Sequence, residues 1–429
     1  MALLLATAPL AVGPVHADAG DGPWIVTVIK GKDHIDPLAG AIYTVDTAAN
    51  TLYGPFLQGQ LGTPAGELLD VAVTANCATA LVSNLGDQKV FFVDVTQPTS
   101  PRLLGSVDLP MFAADIAITP DCKFALITDG GFSNQVASVN ITTRTLVEAR
   151  DLGSNLAQAV AIAPDGTVIV ADYWNGQVHT LTIDGSGNLT PVTSYVLPST
   201  PAQALPWPVN VGVAPDGQTV IVCYARDDSV GVYQVTSPGI LTFRGNVSGL
   251  PVALDAAGNV VSGEQSVAFS ADGSQAYIIT NELHTPPPEF GELPDRISVL
   301  NITAPGEVSL NTAGAAILLN HSSVGTPPLY GVDVLAVAGS KLYVGNPTTD
   351  DPVNDLQVVD LTDYSVSSLP VGALEGESPM GVAAFAPAIL TVETAGAGAG
   401  WVSGDPTACD PGGVYCGADC TETYCTGTV

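Results

Sequence analysis

The sequence predicts an all-β protein: a seven-bladed β-propeller closed by N- and C-terminal strands sharing one blade, with a small Cys-rich C-terminal tail. Three observations carry this expectation. A strand–turn–strand pattern recurs seven times along the 429 residues. Composition agrees, since 45 Gly and 33 Pro beside only 12% charged residues suit short strands and tight turns better than helices. The last copy lacks its outer strands, and the start of the chain has spare ones.

Taken in order, residues 1–17 ("MALLLATAPLAVGPVHA") have an apolar centre and end in Val-His-Ala, a small-residue cleavage pattern. They read as a secretion signal; the alternative is a retained apolar segment docked on a neighbour. No other segment approaches the roughly 18 uninterrupted apolar residues that span a bilayer. Next come "WIVTVIKG", "GAIYTVDT" and "TLYGPFLQ", from Trp24 to Gln58, three strands without a first partner.

The repeats follow: "DVAVTANCATALVS" from Asp70, "DIAITPDCKFALIT" from Asp115, "AVAIAPDGTVIVAD" from Ala159 and "NVGVAPDGQTVIVC" from Asn210. "SVAFSADGSQAYII" from Ser266, "DVLAVAGSKLYVG" from Asp333 and a degenerate "VAAFAPAILTV" from Val382 complete the set. Successive starts lie 45, 44, 51, 56, 67 and 49 residues apart, a blade-sized period. Each copy alternates apolar and polar residues through a hairpin turn. A third strand such as "KVFFVDVT" or "QVHTLTID" and a weaker fourth such as "RLLGSVDL" complete a four-stranded unit. The propeller therefore spans residues 22–392, and residues 393–429 form a Gly/Ala-rich linker and the Cys-rich tail.

These "PDG" hairpins, with the strands that follow them, resemble the YVTN/lactonase-like family of seven-bladed propellers. "VFFVDVTQPTSPRLLGSVDL" (Val90–Leu109) also resembles the LVIVD repeat of bacterial and archaeal surface proteins. The resemblance is specific for architecture, because propellers host enzymes, binders and scaffolds alike. Its lactonase branch implies attack of water on a cyclic ester. That chemistry needs a base or metal-bound water and an oxyanion stabiliser. No catalytic motif matches residue by residue, so no catalytic residue is carried over. Arg102, Arg144, Arg150, Arg226, Arg244 and Arg296 do not fall at equivalent blade positions.

A formal net charge of −31, from 42 acidic and 11 basic side chains, repels phosphate backbones and anionic membranes. It excludes nucleic acid as a partner and suits cations or basic partners, although solubility alone also favours it. The first residues of the innermost strands supply the channel candidates for Ca²⁺, namely Asp70, Asp115, Asn210 and Asp333, with a hydrated polar channel as the alternative. The loop "NPTTDDPVNDLQ" offers Asp350, Asp351 and Asp355 as a second Ca²⁺ candidate, with a solvated acidic loop as the alternative. His34, His179, His284 and His321 are read as ordinary loop or strand-face residues.

Cys77 and Cys122 occupy matching turns of neighbouring repeats, where a disulfide would tie blade to blade if their Cα atoms lie within about 7 Å. Cys409, Cys416, Cys420 and Cys425 read as two tail disulfides of undecided pairing, and Cys223 as a small buried hydrophobe. Asn140, Asn188, Asn246, Asn301 and Asn320 stand in Asn-x-Ser/Thr glycosylation sequences.

Together these features lead to the expectation of a secreted or cell-surface, non-catalytic binding and assembly module. It would bind a protein or glycan, or copies of itself in a surface layer or filament. The alternative is a lactonase-like hydrolase with a divalent cation in its channel, so whether the protein is an enzyme stays open.

Overall fold

The computed structural model describes residues 23–30, 40–62, 67–75, 79–131, 133–153, 156–202, 204–225, 227–252, 263–281, 295–312, 316–320, 334–345, 355–371, 378–385, 387–391 and 421–425. Three strands come first: β1 (Trp24–Lys30), β2 (Ala41–Asp46) and β3 (Thr51–Phe56). Blade 1 is β4 (Leu68–Val73), β5 (Thr79–Asn84), β6 (Lys89–Asp94) and β7 (Arg102–Asp108). Blade 2 is β8 (Ala113–Ile118), β9 (Phe124–Asp129), β10 (Gln135–Asn140) and β11 (Thr145–Asp151). Blade 3 is β12 (Ala157–Ile162), β13 (Thr167–Asp172), β14 (Gln177–Ile183) and β15 (Leu189–Val196). Blade 4 is β16 (Trp207–Val213), β17 (Thr219–Ala225), β18 (Ser229–Ser237) and β19 (Ile240–Ser248).

Blade 5 contains β20 (Gly263–Phe269), β21 (Gln275–Asn281), β22 (Arg296–Ala304), β23 (Glu307–Leu310) and β24 (Ile317–Leu318). Its fourth strand is split: β23 pairs the far half of β22, while β24 pairs Arg296 and Ile297 at its start. Blade 6 is β25 (Leu335–Ala338), β26 (Lys341–Val344), β27 (Asp355–Asp360) and β28 (Val366–Pro370). Blade 7 takes β29 (Ser378–Phe385) as its innermost strand and β1, β2 and β3 as the other three. The register runs antiparallel, with Trp24 opposite Phe385 and Thr27 opposite Val382. Beyond blade 7, β30 (Pro387–Thr391) pairs with β31 (Thr421–Cys425) as a separate ladder.

The ring closes because each innermost strand contacts the next, from β4 through β8, β12, β16, β20, β25 and β29 back to β4. Each blade is covered by a neighbour on both faces, and the second strands β9, β13 and β17 are buried throughout. The outermost strands β7, β11 and β15 are exposed or half-buried at nearly every position. The apolar core accordingly lies between blades. One cluster joins Phe92 and Val90 of blade 1 to Ile116 and Ile127 of blade 2, and another joins Ile169 of blade 3 to Val222 and Tyr224 of blade 4. No helix among the described residues is long and apolar enough to cross a membrane.

The Pro-Asp-Gly turns work by local chemistry. In blade 4, Asp216 Oδ1 accepts the N–H groups of Gln218 (2.8 Å) and Thr219 (2.7 Å), and Gly217 takes φ +70° at no steric cost. Blade 2 puts Cys122 where blades 3, 4 and 5 have Gly166, Gly217 and Gly273, and it adopts φ +52°. Cys122 is disulfide-bonded, and its Sγ lies 3.3 Å from the backbone N of Ala75 in blade 1. Cys77, the expected partner, lies outside the described residues. So do residues 1–17, Cys409, Cys416 and Cys420. Cys223 is buried and not disulfide-bonded.

Candidate functional site

The innermost-strand residues expected at the channel are buried rather than open to it. Asp70 and Ser266 are 0% exposed, and Asp115 and Asn210 are 1% exposed. Their carboxylates reach sideways into the adjoining blade. Asp70 Oδ2 accepts Ile116 N–H of blade 2 at 3.0 Å, and Asp115 Oδ2 accepts Val160 N–H of blade 3 at 2.7 Å. Thr128 strengthens the second junction by accepting Asp115 N–H (3.1 Å) and donating to the Gln158 carbonyl (3.0 Å). These acids therefore knit the ring together. Among the described residues no three His, Cys, Asp or Glu side chains group as metal ligands. Asp333, Asp350 and Asp351 lie outside the described residues, and Asp355 is fully buried at the start of β27. Of the glycosylation candidates, Asn188 and Asn320 are exposed, whereas Asn140, Asn246 and Asn301 are half-buried.

A second set of buried Asp and Asn side chains lies away from the innermost strands. Asn84, Asp129, Asp172, Asp227, Asp295 and Asp355 recur at the connection between second and third strands, each nearly or fully buried. Asp129 shows one role: Oδ1 accepts Gly131 N–H at 2.9 Å and Phe112 N–H at 3.2 Å, bracketing the turn. Asp227 is similarly enclosed; burial raises its pKa, opposed by hydrogen bonds from the Thr200 and Ser229 hydroxyls.

In blade 3 this bracket carries an unusual load. Asp172 Oδ2 accepts Asn175 Nδ2–H at 2.9 Å and lies 3.2 Å from His179 Nε2. The other ring nitrogen, Nδ1, is 2.7 Å from Ser194 Oγ. His179 and Ser194 face each other across β14 and β15 because a register shift just beyond them leaves that pairing in place. Asp151, His179, Val192 and Ser194 border a cleft of about 220 Å³. The turn held by Asp172 presents Tyr173 and Trp174. Their rings meet edge to face at 4.8 Å, and Trp207 of blade 4 lies 5.9 Å from Trp174. Trp174 is 42% exposed, and Leu205 beside the same turn is 38% exposed.

A second cleft, of about 430 Å³, lies where the fourth strand of blade 5 is split. Arg296 and Ser298 of β22 line it, with Val299, Leu310, Leu318 and Tyr364 as its less polar walls.

Fold and contacts together define a closed, seven-bladed β-propeller. Residues 116–286 match the family described as "Lactonase, 7-bladed beta-propeller". Among solved structures, a functionally unknown protein from Desulfotomaculum acetoxidans superposes with a TM-score of 0.64 at 19% identity, covering 84% of this chain and 98% of that one. A Lactobacillus plantarum protein gives 0.60 at 16%, with the same coverage. The periplasmic gluconolactonase of Pseudomonas aeruginosa gives 0.61 at 14%, again covering 84% and 98%. At these identities the likeness is one of fold. No curated protein matches the chain by sequence.

Proposed function

We propose that the protein is a non-catalytic binding and assembly propeller of the cell surface or extracellular space, engaging a glycan through Tyr173, Trp174 and Trp207. The observation that carries this reading is Trp174, an indole left 42% exposed on a turn that Asp172 and His179 hold in place. Exposed aromatic clusters on a rigid scaffold mark interaction surfaces. A flat, preordered aromatic face meets the C–H face of a sugar ring at little conformational cost. The charge of −31 favours neutral or basic glycans over polyanionic ones. Tryptophan fluorescence titrated with neutral oligosaccharides tests this: a saturable change is expected, lost in Trp174→Ala and weakened in Trp207→Ala. Binding that survives Trp174→Ala unchanged would refute the reading. Assembly into a layer or filament belongs to the same proposal. Electron microscopy that finds only isolated rings at every salt concentration would remove that half.

One observation favours a second reading, hydrolysis of a lactone or ester: Ser194, His179 and Asp172 are joined in the order nucleophile, base and acid. A fluorophosphonate probe should then label the wild-type protein and spare Ser194→Ala. A lactone panel run with and without chelator separates this chemistry from a divalent-cation route. Neither labelling nor turnover would dispose of both.

A further inference from the structure

We propose that the blade 5 cleft is a binding site for a small amphipathic carboxylic acid, whose carboxylate is held by Arg296 and Ser298. The inference is independent of the aromatic platform in blades 3 and 4. It begins with an electrostatic anomaly. Acidic side chains outnumber basic ones 42 to 11, so a guanidinium should readily find a carboxylate. Four cations do: Lys89 pairs with Asp108 at 2.5 Å, Arg102 with Asp94 at 2.5 Å, Lys123 with Asp121 at 3.0 Å and Arg150 with Glu148 at 2.9 Å, while Arg144 and Lys341 donate to the Leu104 and Thr47 carbonyls. Arg296 is half-buried, has no such partner among the described residues, and its buried Nε makes no hydrogen bond.

Ser298 repeats the anomaly two residues along the strand. Strand alternation puts it on the same face of β22 as Arg296. Its side chain is 2% exposed, and its Oγ finds no hydrogen-bond partner among the described residues. Leaving a buried hydroxyl unpaired costs about 1–3 kcal/mol, and an unpaired buried charge costs more. Two such groups side by side in an ordinary wall would be destabilising without return. They are side by side because the outer strand is interrupted. β24 ends its pairing at Ile297 and β23 begins at Leu300, so Ser298 stands in the gap. Among the described residues the ladder-like bond there runs from Asn311 N–H to the Val299 carbonyl, at 2.9 Å.

The donors define the ligand. A guanidinium presents a planar fork that matches a carboxylate in bidentate fashion, and a neighbouring hydroxyl can donate to one of the same oxygens. One cation suits a monoanion; a phosphate dianion in so negative a protein would want more. Leu310, Leu318, Val299, Pro251 and Tyr364 supply a largely apolar berth for the remainder. At about 430 Å³ the cleft falls in the range of small-molecule sites, roughly 300–1,000 Å³. A compact aromatic or medium-chain aliphatic acid fits all three features.

The test is calorimetric titration of the full chain with sodium benzoate and sodium hexanoate, against benzyl alcohol and inorganic phosphate. One saturable site is expected for each carboxylate, with at least tenfold weaker binding of benzyl alcohol and of phosphate. Arg296→Met should weaken benzoate binding tenfold or more, Ser298→Ala several-fold, and Arg296→Lys should retain part of it. Thermal melts confirm that each variant is folded. If Arg296→Met does not fold, Ser298→Ala and Arg296→Lys decide. Equal binding of benzyl alcohol would show a merely apolar cleft, and equal binding of phosphate an unspecific anion site. Either result, benzoate affinity unaltered by the folded variants, or no carboxylate binding at all, overturns the proposal.

Discussion

Ring closure can be attacked at a single atom. Gly381 lies in β29, the innermost strand of the composite blade, against β4 of blade 1. A Cβ added there would stand 2.6 Å from the Asp70 Cα, 2.7 Å from its Oδ1 and 2.7 Å from the Val71 N. Carbon atoms in good contact sit about 3.5–4.0 Å apart, so β29 and β4 would have to separate by roughly 1 Å. Two of the three obstacles are backbone and cannot rotate away. Overpacking of this kind costs about 1–3 kcal/mol. The same displacement drags Asp70 from Ile116 N–H, a buried hydrogen bond worth about 0.5–1.5 kcal/mol or more. The sum is near 3 kcal/mol. With an unfolding entropy of about 2.1 cal/mol/K per residue over roughly 370 propeller residues, the Gly381→Ala melting temperature should fall by about 4 °C. Differential scanning calorimetry measures this, and hydrogen exchange at Ile116 should accelerate in parallel. A melting temperature within 1 °C of wild type would mean that the two ends of the chain do not meet as described.

Other perturbations probe the junctions and turns. Asp115→Ala strips the acceptor from buried Val160 N–H and should destabilise by about 2–3 kcal/mol in urea titration, while Asp115→Asn, which keeps an acceptor oxygen, should cost clearly less. Asp272 is held at about 2, below its ordinary 3.8, by the Ser270 hydroxyl and then by the Ser274 N–H and hydroxyl. A lowered folded pKa means that its contribution is complete above about pH 4 and fades as pH falls toward 2. Asp272→Asn should therefore flatten the urea midpoint between pH 4 and 2. Non-reducing peptide mapping should recover Cys122 linked to Cys77, and a Cys122 peptide linked to any other cysteine would refute that pairing.

Much of the fold was legible because its signals are local. A Pro-Asp-Gly turn carries its own hydrogen bonds and its own positive φ, and alternation marks a strand wherever it occurs. The closing blade could be reached by counting strands, since unpaired sheet edges demand partners. The Asp or Asn that closes the second strand in several blades was also visible in the aligned repeats, as in "ALITDGG" and "VIVADYW". Its meaning was not, because a buried bracket and a surface acid share the same letters.

What the sequence determined by itself was the repeat, the strand order and the acidity, all properties of neighbours along the chain. The tertiary structure alone decided where polar groups spend their hydrogen bonds. It turned Asp70 and Asp115 from presumed channel ligands into stitches between blades, and set His179 against Ser194 through the register of two strands. It also split one outer strand so that Arg296 and Ser298 face a cleft. Those outcomes depend on which backbone lies within 3 Å, and that distance is fixed only once seven sheets have packed into a ring.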